Sequence, residues 1–379
     1  MRIVLDIRYR TRSGAASYID NIVPGLVRTG REHEFILLTS GTQEVPGRVD
    51  CEAITINSRS AASQSITDQT TLPRLLRNLG ADIYHPMKHL GTLFPPCIQV
   101  TTAHSITLPF RGVFPISRAE EIYWKLMGTP MFRRSTALIA VSEFVREFLI
   151  EVIDIDPARI HVVHHGIDPR FQRLAAQSAA DPADKEDYVL TVGNIFPVKN
   201  LVVAVKAFAA VAEEWPHLRL KMAGSTSHAY FQMVKAEVEA AGLSHRVDFL
   251  GFTPPTDLIG LFNAAQLLLM PSLTEGCPVT LLEAMACGTP AIGSARGGIP
   301  EVGGDAIVLV DDPEDVPAWI DATRAVLRDA EKRQRLRSAS LRRSQEFTWD
   351  NAVRQTLGVY ASLSPGARRG TAPRALLRT

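Results

Sequence analysis

Cysteine is scarce in this chain, with four residues among 379, at positions 51, 97, 277 and 287. No two of them form a CxxC pair, and neither their number nor their spacing suits a disulfide framework or a zinc site. Cys277 and Cys287 fall within one apolar stretch. We therefore expect free thiols in a reducing compartment, with a cytoplasmic location.

Net charge and long apolar runs are lacking too. The chain has 41 Lys and Arg against 40 Asp and Glu, which argues against a polyanionic partner such as nucleic acid. No run approaches the roughly 18 apolar residues of a membrane span, and residues 1–6 resemble a strand rather than a signal segment. The arginine-containing tail 364–379 has no acidic residue. We expect it to be disordered, with at most a weak peripheral contact at the inner face of a membrane.

The chain does have short apolar runs that alternate with amphipathic helical patterns, in two successive sets. This alternation predicts parallel sheets with crossover helices, and the length exceeds what one core usually holds. The sequence therefore predicts an α/β protein with two Rossmann-like domains, residues 1–170 and 188–347, that face each other across a cleft. The polar residues 171–187 form the predicted linker, and helices are predicted over residues 116–132 and 348–363.

The most informative stretch is residues 267–288, which contains two glutamates. Residues 267–270 form an apolar strand pattern, and a helix with proline at its first position is predicted from Pro278. Glu275 then lies just past the carboxyl end of a strand, where ligands bind in open α/β sheets. Glu283 lies within an apolar helix and needs hydrogen-bond donors there. Sugar hydroxyls would serve, but an arginine or a backbone amide inside the core remains an equal alternative.

Three further positions follow predicted strands. Lys199 stands where a helix begins and could reach a phosphate. His104 follows the strand 98–102 and could donate a hydrogen bond to a substrate oxygen. Gly14 opens a helix after the first strand, an arrangement that can bring backbone amides close to a phosphate. The alternatives are a solvated lysine, a structural histidine and an ordinary turn.

The triplet Asp154-Ile155-Asp156 matches the DxD pattern that holds a metal in some sugar-transferring enzymes. That motif should close an apolar strand, whereas this one follows a predicted helix and precedes Pro157. We interpret it as a helix-to-strand turn and expect no metal and no cofactor.

Several segments in order resemble the retaining GT-B-fold glycosyltransferases of family four, also called group 1. Residues 271–294 (PSLTEGCPVTLLEAMACGTPAIGS) resemble the E-x7-E signature, and residues 192–200 (VGNIFPVKN) resemble the phosphate-lysine loop. Residues 140–144, 159–163 and 166–168 resemble the end of the family's N-terminal domain. Residues 297–301 (GGIPE) are similar to the stretch that follows the signature. A bare E-x7-E is nonspecific, but these segments in this order are specific.

The resemblance implies an acceptor-side domain 1–170, with helix 348–363 packed back on it, and a nucleotide-sugar-binding domain 188–347. It implies that Glu275 and His104 act at the reacting sugar, and that Glu283 binds the ribose. Gly251 and Phe252 would lie near the base. The diphosphate would be held by Gly14 from the other domain and by Asn194, Lys199, Gly276, Cys277, Pro278, Val279 and Thr280.

The implied reaction is metal-independent transfer of a hexosyl unit, of mannose or glucose type, from a GDP- or UDP-sugar to a glycan or lipid-linked acceptor. Negative charge grows on the departing diphosphate, so Lys199 and fixed N–H groups would lower the barrier. Retention is usually explained by same-face attack, in which the leaving phosphate accepts the acceptor's proton. Glu275 is therefore not assigned as a covalent nucleophile.

This chain departs from the family pattern at three positions. Asn194 stands where an arginine is frequent, so the second phosphate cation is absent or comes from Arg8, Arg10 or Arg12. Alanine follows Gly14 in place of a second glycine, and Ser105 replaces a frequent aspartate. Two other functions remain open: a GT-B-fold sugar-nucleotide epimerase, which needs no acceptor, and a non-catalytic nucleotide-sugar-binding partner in a glycan-assembly complex.

Overall fold

The computed structural model describes residues 1–8, 14–41, 45–56, 61–87, 91–104, 118–174 and 187–363. The expectations for Arg10, Arg12 and Ser105, for most of the linker and for the tail 364–379 lie outside these residues. The described chain divides into two compact units. One contains the described parts of 1–104 together with 118–166 and 349–363, and the other contains the described parts of 167–348. The chain passes between the units at Gly166 and again at Trp349.

Unit 1 is built on a seven-stranded parallel sheet, in the order β3-β2-β1-β4-β5-β6-β7. Its strands are β1 (Arg2–Asp6), β2 (Glu34–Thr39), β3 (Glu52–Thr55), β4 (Ile83–Pro86), β5 (Ile98–Ala103), β6 (Ala137–Ala140) and β7 (Ile160–Val162). Its helices are α1 (Gly14–Thr29), α2 (Ala61–Asn78), α3 (Arg118–Tyr123), α4 (Thr129–Arg134), α5 (Glu143–Glu151) and α13 (Trp349–Ser362). The last helix, α13, packs against α1.

Unit 2 is built on a six-stranded parallel sheet, in the order β10-β9-β8-β11-β12-β13. Its strands are β8 (Tyr188–Val192), β9 (Arg219–Ala223), β10 (Val247–Gly251), β11 (Leu267–Met270), β12 (Ala291–Ser294) and β13 (Val308–Val310). Its helices are α6 (Leu201–Ala212), α7 (Tyr230–Ala240), α8 (Pro255–Ala264), α9 (Val279–Ala286), α10 (Ile299–Gly303), α11 (Val316–Arg328) and α12 (Ala330–Ser344).

The central strands of unit 2 are apolar on both faces because helices cover both faces of the sheet. Leu267 and Leu269 of β11 join one hydrophobic cluster, which includes residues of α6, α7 and α11. Leu268 and Met270 point the other way into a cluster with residues of α9 and α10. The two-residue period of a strand thus divides β11 between two cores.

The prediction of two parallel-stranded, Rossmann-like α/β sheets is confirmed. The helix predicted over residues 116–132 is helical from Arg118 onward, but it is not one regular α-helix: α3 leads into a π-helical turn, Trp124–Gly128, and then into α4. Pro130 has no N–H to donate to the preceding turn, and a Cβ on Gly128 would lie 1.8 Å from the Trp124 ring. All four cysteines are free thiols, as expected.

No helix in the described part of the chain combines the length and apolarity that a membrane crossing requires.

Candidate functional site

The segment between β11 and α9 is held against two neighbouring loops. The Leu273 N–H donates to the Val198 carbonyl at 2.8 Å, which ties the segment to the loop that follows β8. The Ser294 hydroxyl donates to the Ser272 carbonyl at 2.5 Å, at the end of β12. Residues 271–278 therefore lie at the carboxyl edge of the sheet, where three adjacent parallel strands end.

Glu275 and Lys199 contact each other directly at this edge. The Lys199 Nζ donates to the Glu275 Oε1 at 2.5 Å, and the Lys199 and Glu275 side chains are 20% and 15% exposed, respectively. Solvent still reaches both groups, so a ligand can approach them. Sequence reasoning placed both residues in one site with separate roles, but it did not foresee that they form an ion pair.

Two adjacent glycines, Gly297 and Gly298, fix the backbone around Glu275. The Gly298 N–H donates to the Glu275 carbonyl at 2.8 Å. Gly297 has φ +61°, and a Cβ there would lie 2.4 Å from the Glu275 carbonyl oxygen. A Cβ on Gly298 would lie 2.6 Å from the Gly276 carbonyl oxygen. Only residues without a side chain allow this close backbone approach.

The loop that carries Lys199 is also shaped by a close backbone approach. Gly224, at the end of β9, has φ +157°, and a Cβ there would lie 1.9 Å from the Gly193 carbonyl oxygen. The Lys199 N–H donates to the Phe196 carbonyl at 2.9 Å, within the 3-10 turn Pro197–Lys199. The turn thereby directs the lysine stem back toward Gly193, where a Cβ would meet the Lys199 Cε at 3.1 Å.

Neither Asn194, which is uncharged, nor Arg8, which is held by carboxylates, supplies a second cation for a phosphate. The Asn194 Oδ1 accepts a hydrogen bond from the Ser225 N–H at 3.4 Å, so this side chain joins two loops. Arg8 is 4% exposed and binds Asp6 at 2.6 Å and Asp68 at 2.7 Å. Because two carboxylates already neutralise it inside unit 1, the suggestion that Arg8 supplies a phosphate cation is wrong.

Glu283 occupies the second turn of α9, between the buried residues Leu282 and Ala284. Burial raises the pKa of its carboxyl from 4.5 to about 8, and the nearby Asp168 carboxylate adds to the increase, whereas Arg170 opposes it. Arg170 is engaged with Asp168, at 2.6 Å between Nη2 and Oδ2. Within the described chain no hydrogen bond reaches the Glu283 carboxylate. Neither the arginine nor the backbone amide considered for a core glutamate is bonded to it.

The remaining positions predicted in unit 2 lie along the same carboxyl edge. Gly251 ends β10 with φ +67° and accepts a hydrogen bond from the Gly224 N–H, and Phe252 is 61% exposed. Pro278 precedes α9, and no side chain caps the first turn of that helix. The Val279 N–H donates to the Cys277 carbonyl and the Leu281 N–H to the Pro278 carbonyl, so the Thr280 N–H is the first-turn amide that no acceptor in the described chain contacts. This amide and the helix dipole favour an anion. The residues that lead into this helix are Gly276, Cys277, Pro278, Val279 and Thr280.

His104 and Gly14 belong to unit 1. Gly14 is the first residue of α1. His104 follows β5, and its Nε2–H donates to the Met87 carbonyl at 2.8 Å. The His104 ring meets the Tyr18 ring edge to face, with centroids 4.6 Å apart. This ring is therefore oriented by packing within its own unit.

His165 is a buried residue beside this ring that sequence reasoning did not single out. It is 3% exposed and stacks on Tyr18 at 5.0 Å and on Trp349 at 5.8 Å. Burial lowers the pKa of His165 well below its usual range, helped by His104. The imidazole is therefore neutral at physiological pH.

Among the described residues, no group of three or more His, Cys, Asp or Glu side chains could hold a metal ion. Asp154 and Asp156 lie in the turn between α5 and β7, as predicted. The Asp156 Oδ1 accepts a hydrogen bond from the Ala158 N–H, so this carboxylate caps the short helical turn that follows.

Two family models match this chain in succession. "Glycosyltransferase Family 4" matches residues 12–171, and "Glycosyl transferases group 1" matches residues 174–343. The fold and this edge of unit 2 define a GT-B-type protein with two Rossmann-like sheets. The chain belongs to the group 1 glycosyltransferase family of GT-B fold.

Curated relatives carry the name D-inositol 3-phosphate glycosyltransferase. The protein from Salinispora tropica is 35% identical over 231 residues, which are 56% of this chain and 48% of that protein. The protein from Mycobacterium bovis is 37% identical over 217 residues, which are 54% of this chain and 44% of that protein. The chain thus matches these relatives over about half of their length.

Solved structures share the fold along nearly the whole chain. Sucrose-phosphate synthase from Thermosynechococcus elongatus superposes with a TM-score of 0.78 at 20% identity, covering 96% of this chain and 99% of that one. Anabaena HepE, solved in complex with UDP and glucose, gives 0.75 at 16% identity, covering 96% and 100%. At such identities the likeness establishes the fold alone.

Proposed function

We propose that this protein is a retaining glycosyltransferase. It transfers a hexosyl unit, of mannose or glucose type, from a GDP- or UDP-sugar to a glycan or lipid-linked acceptor. The observation that carries the proposal is the Lys199–Glu275 contact, 2.5 Å long, at the carboxyl edge of β8 and β11 and beside the uncapped start of α9. A cation, a carboxylate and the Thr280 amide at one edge suit a sugar diphosphate, which presents both anionic oxygens and hydroxyls.

The ion pair suggests how the site changes when the donor binds. The diphosphate competes with Glu275 for the Lys199 ammonium, and charge-assisted bonds to phosphate oxygens replace the bond to the carboxylate. Glu275 is then free to accept hydrogen bonds from the sugar hydroxyls. Lys199, the Thr280 amide and the dipole of α9 stabilise the charge that grows on the leaving diphosphate. The step requires no metal ion.

Glu283 suits the ribose of the donor. Its carboxylate receives no hydrogen bond from the described chain, and burial raises its pKa to about 8. Ribose hydroxyls would supply the missing donors and would favour the ionised form. Relatives named for a glycosyltransferase activity, and HepE with UDP and glucose bound, support a nucleotide sugar as the donor.

The test compares wild type with Glu275→Ala. UDP-, GDP- and ADP-sugars are first screened for donor-dependent thermal stabilisation, and transfer and donor hydrolysis are then measured with the stabilising donor. We expect Glu275→Ala to lose turnover and to keep nucleotide affinity, because Lys199 remains to bind phosphate. Glu147→Ala, an exposed glutamate on α5, is the control and should behave as wild type.

Two results would contradict the proposal. The first is a protein that no nucleotide sugar stabilises. The second is conversion of the donor into its epimer without an acceptor, which would mark an isomerase. Full transfer by Glu275→Ala would remove the role of that residue while leaving the reaction class intact.

A further inference from the structure

Three loops at the carboxyl edge of unit 2 are joined by backbone hydrogen bonds. The Ile195 N–H donates to the Ser225 carbonyl at 3.1 Å, and the Gly224 N–H donates to the Gly251 carbonyl at 2.8 Å. The loop after β9, residues 224–229, therefore lies between the Lys199 loop and the end of β10. Two strand spacings, roughly 10 Å in all, separate β8 from β10. A ligand whose phosphate sits at Lys199 and which extends toward β10 must pass this loop.

Two aromatic side chains, Phe196 and His228, lie at this loop and the one beside it. The rings of Phe196 and His228 meet edge to face, with centroids 4.8 Å apart and an interplanar angle of 78°. Phe196 is 38% exposed and Phe252, beyond it, is 61% exposed. Exposed aromatic rings at the ligand edge of the sheet suit a planar partner, because a flat ring can stack on or against them.

The backbone determines the tautomer of His228. The Tyr230 N–H donates to the His228 Nδ1 at 3.0 Å, so Nδ1 accepts and the proton of the neutral ring lies on Nε2. Among the described residues no acceptor contacts Nε2. His228 therefore presents one N–H donor beside the exposed Phe196 ring.

We propose that Phe196 and His228 form the nucleobase site, and that His228 selects a base with an exocyclic carbonyl, uracil or guanine, over adenine. The inference rests on the proposed function, since it assumes a nucleoside-diphosphate donor. Uracil and guanine offer a carbonyl oxygen that accepts from His228 Nε2–H, whereas adenine carries an amino donor at the corresponding edge. Two donors that face each other leave both without a partner, which disfavours adenine.

The experiment measures the dissociation constants of UDP, GDP and ADP for the full chain and for matched variants. In His228→Asn the amide oxygen can still accept from the Tyr230 N–H, but the Nε2–H donor is lost. In His228→Gln an amide N–H is placed near the Nε2 position, while the bond to Tyr230 is given up. Phe196→Ala removes the stacking surface, and Lys199→Met is the control for phosphate binding.

Wild type should bind UDP or GDP at least about tenfold more tightly than ADP, and His228→Asn should reduce that preference about tenfold with little change for ADP. His228→Gln should restore part of the preference. Phe196→Ala should weaken all three nucleotides about tenfold, because stacking does not depend on base identity. A melting temperature for each variant verifies that it is folded.

An unchanged preference in His228→Asn, or an equal loss for all three nucleotides, would overturn the assignment of His228. Nucleotide affinities within twofold of wild type in both His228→Asn and Phe196→Ala, together with weaker binding by Lys199→Met, would overturn the whole inference and leave the proposed function standing. A wild-type protein that binds none of the nucleotides would overturn both.

Discussion

Replacing Glu283 with glutamine tests whether its carboxylate binds a ligand or supports the folded structure, because the two roles predict opposite effects on stability. The Glu283 carboxyl has a pKa of about 8 in the folded protein, against the ordinary 4.5. Between these values the unfolded chain carries an ionised carboxylate while the folded chain binds a proton. The folded state therefore loses stability as pH rises through this window. Glutamine cannot ionise and escapes this loss.

The size of the effect follows from the two pKa values. At pH 7 only the part of the shift between the ordinary pKa of 4.5 and the working pH affects stability. At 1.36 kcal/mol for each pKa unit, the folded state is destabilised by about 3 kcal/mol. Solvent reaches part of the Glu283 side chain and screens the ionised form, so we expect roughly 1–2 kcal/mol. In a unit of this size, a difference of that many kcal/mol changes the melting temperature by roughly 3–6 °C.

The assay is thermal unfolding of wild type and Glu283→Gln at about pH 5.5 and about pH 8.5. The variant should melt higher than wild type at the alkaline pH, and the difference should shrink at the acidic pH, where both side chains are neutral in the folded state. Glu147→Gln, at an exposed glutamate on α5, should show no such dependence.

In the same preparation, Glu283→Gln should bind the donor nucleotide more weakly, by roughly 1–3 kcal/mol. A variant that melts below wild type at both pH values, with unchanged nucleotide affinity, would show that Glu283 is a structural residue.

Two further substitutions test how the site is held together. Lys199→Met should weaken the binding of every nucleoside diphosphate by roughly 1.5–3 kcal/mol through loss of a charged donor, whereas Lys206→Met on α6 should not; calorimetric titration measures both, and equal affinities would remove Lys199 from the phosphate site. Gly297→Ala should cost at least about 2 kcal/mol, because its Cβ would meet the Glu275 backbone at 2.4 Å and its φ is +61°. Gly260→Ala, with no atom within 4 Å on the exposed face of α8, should leave stability unchanged or raise it by about 0.5–1 kcal/mol. Similar losses in these two variants would indicate that the glycine turn is not what positions Glu275.

Local sequence pattern was sufficient for much of this protein. Apolar runs such as 267–270 are strands because parallel strands are covered on both faces, and short-range periodicity reports that burial. The same reasoning placed Glu275 in a loop after β11, Glu283 on the following helix and Lys199 after β8. It predicted a helix over residues 116–132, and residues 118–134 are helical, but it did not foresee the π-helical turn Trp124–Gly128 between α3 and α4.

Sequence alone determined which residues lie at strand ends, because that property depends on near neighbours in the chain. Only the tertiary structure decided which of them meet. Lys199 and Glu275 are 76 positions apart and come into contact because β8 and β11 are adjacent in the sheet. The crowding of Gly193 by Gly224 likewise depends on the strand order, as does the pairing of Phe196 with His228. The pKa of Glu283 depends on desolvation by the whole surrounding core, which no local pattern encodes.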